Sequence, residues 1–199
     1  MKKLFTLAAI AGLALSVVAI SQPKSQTATT LKVDAKESSF KWTGKKVVGE
    51  HWGYVQFNDG AVTVDGKKLT GGSFTVNMPT ITVEDMKGEY MEKLVGHLKS
   101  EDFFATEKHA TSTLKIKALT PIAGAKAGDK NFDVVADLTI KNITKEIKFP
   151  AQIIVTADKV IANAEFDIDR TLFDIKYKGQ ADNLISDNFN VNVRVVAKK

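Results

Sequence analysis

Residues 131–155 read NFDVVADLTIKNITKEIKFPAQIIV, and this stretch decides the fold. Apolar side chains fall on alternate positions in both arms, namely Phe132, Val134, Ala136, Leu138 and Ile140, and then Ile147, Phe149, Ala151, Ile153 and Val155. Alternation with period two over this length is typical of strands with one face in a core and the other in water. The turn at residues 141–144 is short, so the two arms are predicted to pair as a long antiparallel hairpin.

The same alternation recurs along the rest of the chain. It is found at residues 38–48, 54–64, 69–78, 111–118, 159–169 and 187–197. With the two arms of the hairpin, these segments predict about eight long antiparallel strands, which usually close into a barrel or flatten into a sandwich. Strands of about ten residues with a large apolar inner face favour the barrel. The predicted fold class is therefore all-β, an extended antiparallel eight-stranded β-barrel.

Residues 84–104 interrupt the strands. Met86, Tyr90, Leu94, Val95 and Leu98 recur at spacings of three and four, which predicts one amphipathic helix. Two phenylalanines, at positions 103 and 104, follow it. A helical excursion of this kind can be a lid over an open barrel end or a permanent plug, and the sequence leaves both open.

The N-terminus has the features of a secretory signal peptide over residues 1–21. Lys2 and Lys3 precede an apolar run, and small residues near Ala19 and Ser21 allow cleavage. A transmembrane anchor is the alternative, but the run is short for a span and a polar linker follows at residues 22–31. We expect cleavage to release a barrel domain over residues 32–199 into the periplasm or the medium, with no stable membrane span.

Composition narrows the function further. The chain has 28 basic and 23 acidic residues, and both signs are interspersed along the strands. No nucleic acid partner is therefore expected, because no basic cluster is present. The chain has no cysteine, so the exported domain must be stable from its core and not from disulfides.

Three local patterns carry a resemblance to a known family. They are LKSEDFF at residues 98–104 followed by KHAT at residues 108–111, LTIKNITK at residues 138–145, and FDIDRTLFDI at residues 166–175. In this order behind a signal peptide, they resemble the YceI-like, or lipid/polyisoprenoid-binding, family over roughly residues 31–197. The sequence departs from the family at Asn142, where the turn often has Gly, and at Ala110, where the family has Pro. No role can be carried over to His97.

The resemblance implies a lipocalin-like barrel, exported to the periplasm or beyond, that binds a long isoprenoid chain in an apolar lumen. The ligand would be of polyprenyl or quinone type. From spacing alone, the inward side chains are more often packed core than tunnel wall, whereas the resemblance favours a tunnel. The predicted ligand-binding lumen residues are Phe40, Trp42, Phe57, Phe74, Val76, Leu94, Leu98, Phe103, Leu114, Val134, Ala136, Leu138, Phe149, Ile153, Ala164, Phe166, Ile168, Phe173, Val191 and Val193.

Other site chemistries find less support. The three histidines show no HExxH or HxH spacing, so no metal site is predicted. No nucleophile elbow or phosphate loop is present, so no catalytic residue is named and no cofactor is required. Arg170, near Asp167, Asp169 and Asp174, is expected to make a structural ion pair.

Two further hypotheses remain beside the lipid-binding one. The first is an enzyme that acts on a hydrophobic substrate at the barrel mouth, with Asp169, Arg170 or a histidine converging there. The second is a packed barrel without ligand that acts as a stress or interaction protein. Candidates to face a ligand headgroup are Trp42, Trp52 and Tyr54. The sequence does not decide between a monomer and a homodimer.

Overall fold

A computed structural model describes residues 28–199; the predicted signal peptide and most of the predicted linker lie outside the described residues. The regular elements of this part are one α-helix, α1 (Glu89–Lys99), two short 3₁₀ helices (Met78–Thr80 and Arg170–Phe173) and ten strands. The strands are β1 (Thr29–Val33), β2 (Ser39–Lys46), β3 (Glu50–Asp65), β4 (Lys68–Asn77), β5 (Thr111–Pro121), β6 (Phe132–Ile140), β7 (Ile143–Val155), β8 (Lys159–Asp169), β9 (Gly179–Gln180) and β10 (Asn183–Lys198).

Eight strands close into an antiparallel barrel. Each of β2 to β7 pairs with the next strand along the chain, and β10 then pairs with both β8 and β2. The predicted eight-stranded β-barrel with one helical excursion is thereby confirmed. Closure leaves no unpaired edge along the sheet, which is how barrels avoid pairing with other chains.

The strands β1 and β2 share one position in the barrel wall. Strand β2 pairs with residues 50–55 of β3, whereas β1 pairs with residues 61–64 of the same strand. Leu31 in β1 is buried in the core. Strand β1 therefore contributes to the barrel wall from Thr29 onward.

The long hairpin is formed by β6 and β7. Ile140 pairs with Ile143, so Lys141 and Asn142 alone make the turn, and their φ angles are +50° and +63°. Positive φ at both central positions defines a type I′ turn, whose twist matches that of the flanking strands. The inner face of β6 is buried from Val134 to Ile140, as the alternation predicts.

The helical excursion is shorter than the predicted 84–104. Residues 82–84 instead lie in extended form beside β3. The backbone N–H groups of Thr82 and Glu84 donate hydrogen bonds to the carbonyls of Tyr54 (2.9 Å) and Trp52 (2.8 Å). Helix α1 begins only after Gly88, which has a φ of +68°.

The prediction that Tyr90 lies on the packed face of the helix is wrong, because Tyr90 is 77% exposed. Leu98 at the other end of α1 is buried. At 100° per residue, each step of four residues turns the side chain by about 40°, so Tyr90 lies about 80° around the axis from Leu98. Spacing alone did not show which end of this short helix packs.

Two hydrophobic clusters fill the barrel. One gathers side chains near the helical end, among them Trp42, Phe57 and Phe173, and the other lies around Leu31, Val62 and the inner face of the long hairpin. All strands of the closed barrel and both clusters belong to residues 28–199, so this part carries its own core. Within the same residues, no helix combines the length and the apolarity that crossing a membrane requires.

Candidate ligand-binding cavity

An apolar cavity lies inside the barrel. About 190 Å³ of it is open to the centre of a water-sized sphere, whereas one buried water needs about 10–15 Å³ by that measure. Side chains from all eight barrel strands line the cavity, and almost all of its wall is apolar. A cavity with such walls is a poor host for water and accepts apolar guests.

Most of the predicted lumen residues border this cavity. They are Phe40, Trp42, Phe57, Phe74, Val76, Leu98, Phe103, Leu114, Val134, Leu138, Phe149, Ile153, Ala164, Phe166, Ile168 and Val193. The strand residues among them reach the cavity because alternate side chains of a barrel strand point inward. Their contact with a ligand stays a prediction.

Two predicted residues point inward yet do not reach the cavity. Ala136 is completely buried, and its methyl group is shorter than the side chains of its two isoleucine register partners in β5 and β7. Val191 pairs with Trp42 on one side and Phe166 on the other, and both of these larger side chains border the cavity. Strand alternation predicts which side chains point into the barrel. The size of the neighbouring side chains then decides which of these reach the open space.

Two other predicted residues lie away from the cavity. Phe173 is in the 3₁₀ helix Arg170–Phe173 and is fully buried in the core cluster near the helical end. Leu94 on α1 borders a second pocket, outside the barrel interior. Both positions belong to helical segments, where the strand rule for inward faces does not hold.

Some wall residues were not predicted. Val55 and Ala162 each lie two positions before a predicted residue, so the same alternation would have found them. Met78 continues the alternation of Phe74 and Val76, whereas Ile81 follows the 3₁₀ helix Met78–Thr80, beyond that alternating segment.

Small side chains on neighbouring strands keep part of the cavity open. Ala151 and Ala164 are register partners on β7 and β8, and Ala162 lies beside them. Next to these alanines, the rings of Phe149 and Phe166 are stacked, with centroids 4.1 Å apart and planes 11° apart. The aromatic pair forms a flat wall, and the methyl groups beside it leave the space that larger residues would fill.

The helical segment covers one end of the cavity. Leu98, Phe103 and Phe104 border it from that end, and the Phe104 ring meets the Phe189 ring of β10 edge to face at 6.4 Å. This is the position that either a lid or a plug would occupy.

A second, more polar pocket of about 260 Å³ adjoins the cavity at the helical end, and we call it the outer pocket. The two spaces share five wall residues: Trp42, Gly44, Leu98, Phe103 and Ile185. The outer pocket adds polar and charged side chains, including Lys45, Lys46, His51, His97 and Tyr177. It therefore lies between the apolar interior and the barrel rim.

His97 is the centre of an aromatic group in the outer pocket. Its ring meets Phe103 at 4.9 Å and Tyr177 at 4.7 Å, both edge to face. Its Nε2 lies 3.0 Å from Oδ2 of Asp102, which fixes the orientation of the ring. No role was predicted for His97, because Tyr177 is remote in the chain and Asp102 and Phe103 lie on the following turn.

His51 and Asp85 fix the segment before α1 to β3. Oδ2 of Asp85 lies 2.7 Å from Nδ1 of His51, and Oδ1 accepts a hydrogen bond from the Trp52 backbone N–H at 2.9 Å. Burial raises the pKa of the Asp85 carboxyl, but the hydrogen bonds from Trp52 and His51 outweigh it, so the pKa lies below its ordinary value.

Among the residues of 28–199 that form the cavity wall, Arg170 alone has a charged side chain, and it is 4% exposed. Its guanidinium donates to the carbonyls of Ile175 (2.7 Å) and Ser186 (2.9 Å), and it pairs with Oδ1 of Asp187 at 3.1 Å. The predicted structural ion pair is present, but its partner is Asp187 and not one of the three aspartates that are nearer in sequence. Asp169 instead accepts hydrogen bonds from Thr171.

The other residues considered for chemistry lie apart from the cavity. Trp52 and Tyr54 are on the outer side of β3, where Lys41 Nζ is 4.3 Å from the Trp52 ring centroid. Asp169 and His109 border neither the cavity nor the outer pocket. Among residues 28–199, no three histidine or carboxylate side chains are arranged to hold a metal ion.

The fold is a closed β-barrel with an apolar cavity inside and a more polar pocket at the helical end. Comparison with known sequences gives the family. A sequence model described as the YceI-like domain matches residues 31–197. The chain therefore belongs to the YceI-like family, which confirms the resemblance found in its three motifs.

Curated relatives match over part of their length. A UPF0312 protein of Pectobacterium carotovorum subsp. carotovorum is 29% identical over 115 residues, and one of Pectobacterium atrosepticum is 30% identical over 115 residues. Both alignments cover 57% of this chain and 55% of the relative, so the matched part is about half the length of each.

Solved structures share the fold. BcnA of Burkholderia cenocepacia superposes with a TM-score of 0.67 at 18% identity, covering 83% of this chain and 99% of BcnA. A polyisoprenoid-binding domain of Saccharophagus degradans gives 0.60 at 13% identity, covering 84% of this chain and 97% of that domain. A mutant YceI protein of Campylobacter jejuni gives 0.52 at 18% identity, covering 100% of this chain and 99% of that protein.

Proposed function

We propose that this protein is an exported binding protein that holds a long-chain isoprenoid lipid, of polyprenyl or quinone type, inside the barrel. The observation that carries the proposal is the cavity with carbon-lined walls contributed by all eight barrel strands. Burying a chain of apolar groups there is favourable by about 0.8 kcal/mol per CH₂, before the cost of ordering the chain. Holding the lipid in this way serves transport, storage or sequestration.

Family membership and the likeness to a domain that is described as polyisoprenoid-binding support this choice of ligand. The predicted signal peptide supports export. The outer pocket suits the polar end of such a lipid, because it adjoins the cavity and offers His97 and Tyr177 at its wall.

The proposal includes binding without catalysis and without a required cofactor. Arg170, which the enzyme hypothesis needs at the mouth, already donates to three carbonyls and one carboxylate within the fold. His51 and His97, which do border the outer pocket, are each paired with a different carboxylate.

Native mass spectrometry after mild purification tests the proposal, with an added isoprenoid quinone or polyprenol where no lipid is retained. We expect a bound mass that is lost on denaturation. Ala164→Trp fills the open side of the cavity and should weaken binding at least about tenfold. Ala118→Trp is the matched control, since Ala118 is exposed on β5. A wild-type protein that neither retains nor takes up lipid would favour the packed-barrel hypothesis.

A further inference from the structure

The rim of the barrel beside the outer pocket is unusually apolar. Val47 and Val48 occupy the tip of the β2–β3 turn, and they are 68% and 71% exposed. Turn tips in water are normally built from Gly, Asn, Asp or Ser. Other hairpin turns of this barrel follow that rule, with Lys141 and Asn142 between β6 and β7 and Gly66 between β3 and β4.

The exposed valines belong to a continuous patch. The Val47 N–H donates to the carbonyl of Leu184 at 3.0 Å, and Leu184, at the start of β10, is itself 46% exposed. The Lys46 N–H donates to the Gly49 carbonyl at 3.0 Å, which closes the turn and holds both valines outward. We call Val47, Val48 and Leu184 the rim patch.

Lysines flank the rim patch. Lys45 and Lys46 precede the valines and also border the outer pocket, and the Lys178 carbonyl accepts a hydrogen bond from the Ile185 N–H beside Leu184. Among the described residues, none of these three lysines forms an ion pair. Glu50 follows the valines and Asp182 precedes Leu184 in the chain, so the lysines supply only part of any attraction and the apolar tip must supply the rest.

We propose that the rim patch docks the barrel on an anionic lipid bilayer, so that a lipid passes between the bilayer and the cavity through the outer pocket. A convex tip of two aliphatic residues with flanking lysines is suited to insertion among lipid headgroups. A flat protein partner would instead need a wide complementary face. This inference rests on the proposed function for the identity of the cargo, but docking itself can be measured separately.

Vesicle flotation tests the docking, with residues 28–199 because they contain the whole barrel and its core. Vesicles of phosphatidylcholine with about one third phosphatidylglycerol are compared with pure phosphatidylcholine. Wild type should float with the anionic vesicles, and the double substitution Val47→Asp with Val48→Asp should lower partitioning at least about tenfold. Ile154→Asp is the matched control, because Ile154 is also exposed (45%) but lies on β7 away from the rim patch.

Lumen binding of the quinone, measured without vesicles, should be unchanged in the double variant, since neither valine borders the cavity. Equal flotation of the double variant and the wild type, or no flotation of the wild type, overturns the docking proposal whether or not the lumen binds lipid. Light scattering is run in parallel. If the wild type is a dimer, the double variant is a monomer and neither binds vesicles, the rim patch is an interface between two copies of this chain. That result would also overturn the docking proposal.

Discussion

The indole Nε1 of Trp42 donates a hydrogen bond to the backbone carbonyl of Thr82, 3.1 Å away. The bond ties the wall of the cavity to the segment that leads into α1. It forms because Gly53, directly opposite Trp42 on β3, has no side chain. A Cβ atom at position 53 would lie 1.9 Å from the Thr82 oxygen and 3.0 Å from the Trp42 nitrogen.

Gly53→Ala should therefore destabilise the barrel by about 2–3 kcal/mol, because a backbone oxygen must move to admit the methyl group. Urea unfolding monitored by tryptophan fluorescence measures the change. Gly71→Ala on β4 is the matched control, since a Cβ there meets nothing within 4 Å. Similar midpoints for the two variants would show that the Thr82 segment is not held against β3.

Arg170→Ala should lower the free energy of unfolding by about 2–4 kcal/mol. The substitution leaves the carbonyls of Ile175 and Ser186 without their donor in a buried setting. Arg194→Ala is the control, because Arg194 is exposed and makes one hydrogen bond to Asn163 at 3.2 Å. It should change stability by less than about 0.5 kcal/mol. Equal effects of the two substitutions would contradict the structural role of Arg170.

The type I′ turn predicts opposite responses to two substitutions at one position. Asn142→Gly should leave stability unchanged or raise it by less than about 1 kcal/mol, because glycine adopts the φ of +63° without strain. Asn142→Val should cost about 1–3 kcal/mol, since a β-branched residue is strained there. Thermal unfolding of both variants checks the pair, and a tolerated valine would mean that the turn has another geometry.

Asp85→Asn should reduce stability in a pH-dependent way. The pKa of Asp85 is lower in the folded protein than its ordinary value of 3.8. The carboxylate therefore contributes fully above pH 3.8, and its contribution is lost as pH falls through the folded pKa. The difference in unfolding free energy between wild type and variant should be constant, at about 1–2 kcal/mol, above about pH 5 and should shrink below about pH 4.

Urea titrations between pH 3 and pH 6 measure this difference. Asp158→Asn is the control, because Asp158 is an exposed aspartate in the β7–β8 turn. The unfolding free energy of Asp158→Asn should equal that of the wild type at every pH in this range. A wild-type advantage over Asp85→Asn that persists undiminished well below pH 4 would rule out the titration of Asp85 as its cause.

The strand faces could be predicted from the sequence because alternation is a local property. Leu138 and Phe166 were placed toward the interior by spacing alone, and both border the cavity. Local turn chemistry predicted the β6–β7 hairpin in the same way.

The features that could not be predicted from the sequence depend on contacts between segments that are far apart in the chain. Val191 fails to reach the cavity because of Trp42 and Phe166, which precede it by 149 and 25 positions. Asp187 was missed as the partner of Arg170, since the bulge that brings it there forms only when β10 joins β2. The outer pocket likewise combines β2, α1 and the start of β10, and no local pattern links those segments.

The seam between β2 and β10 has a consequence for the time course of folding. It joins Phe40 to Val193, at nearly opposite ends of the described chain. Such distant contacts are slow to form, because a long loop must close before they contribute any stability. The cavity cannot be enclosed until β10, the last strand, has paired with β2 and β8. A chain that is synthesised gradually therefore exposes its apolar strand faces to chaperones or lipid until synthesis is nearly complete.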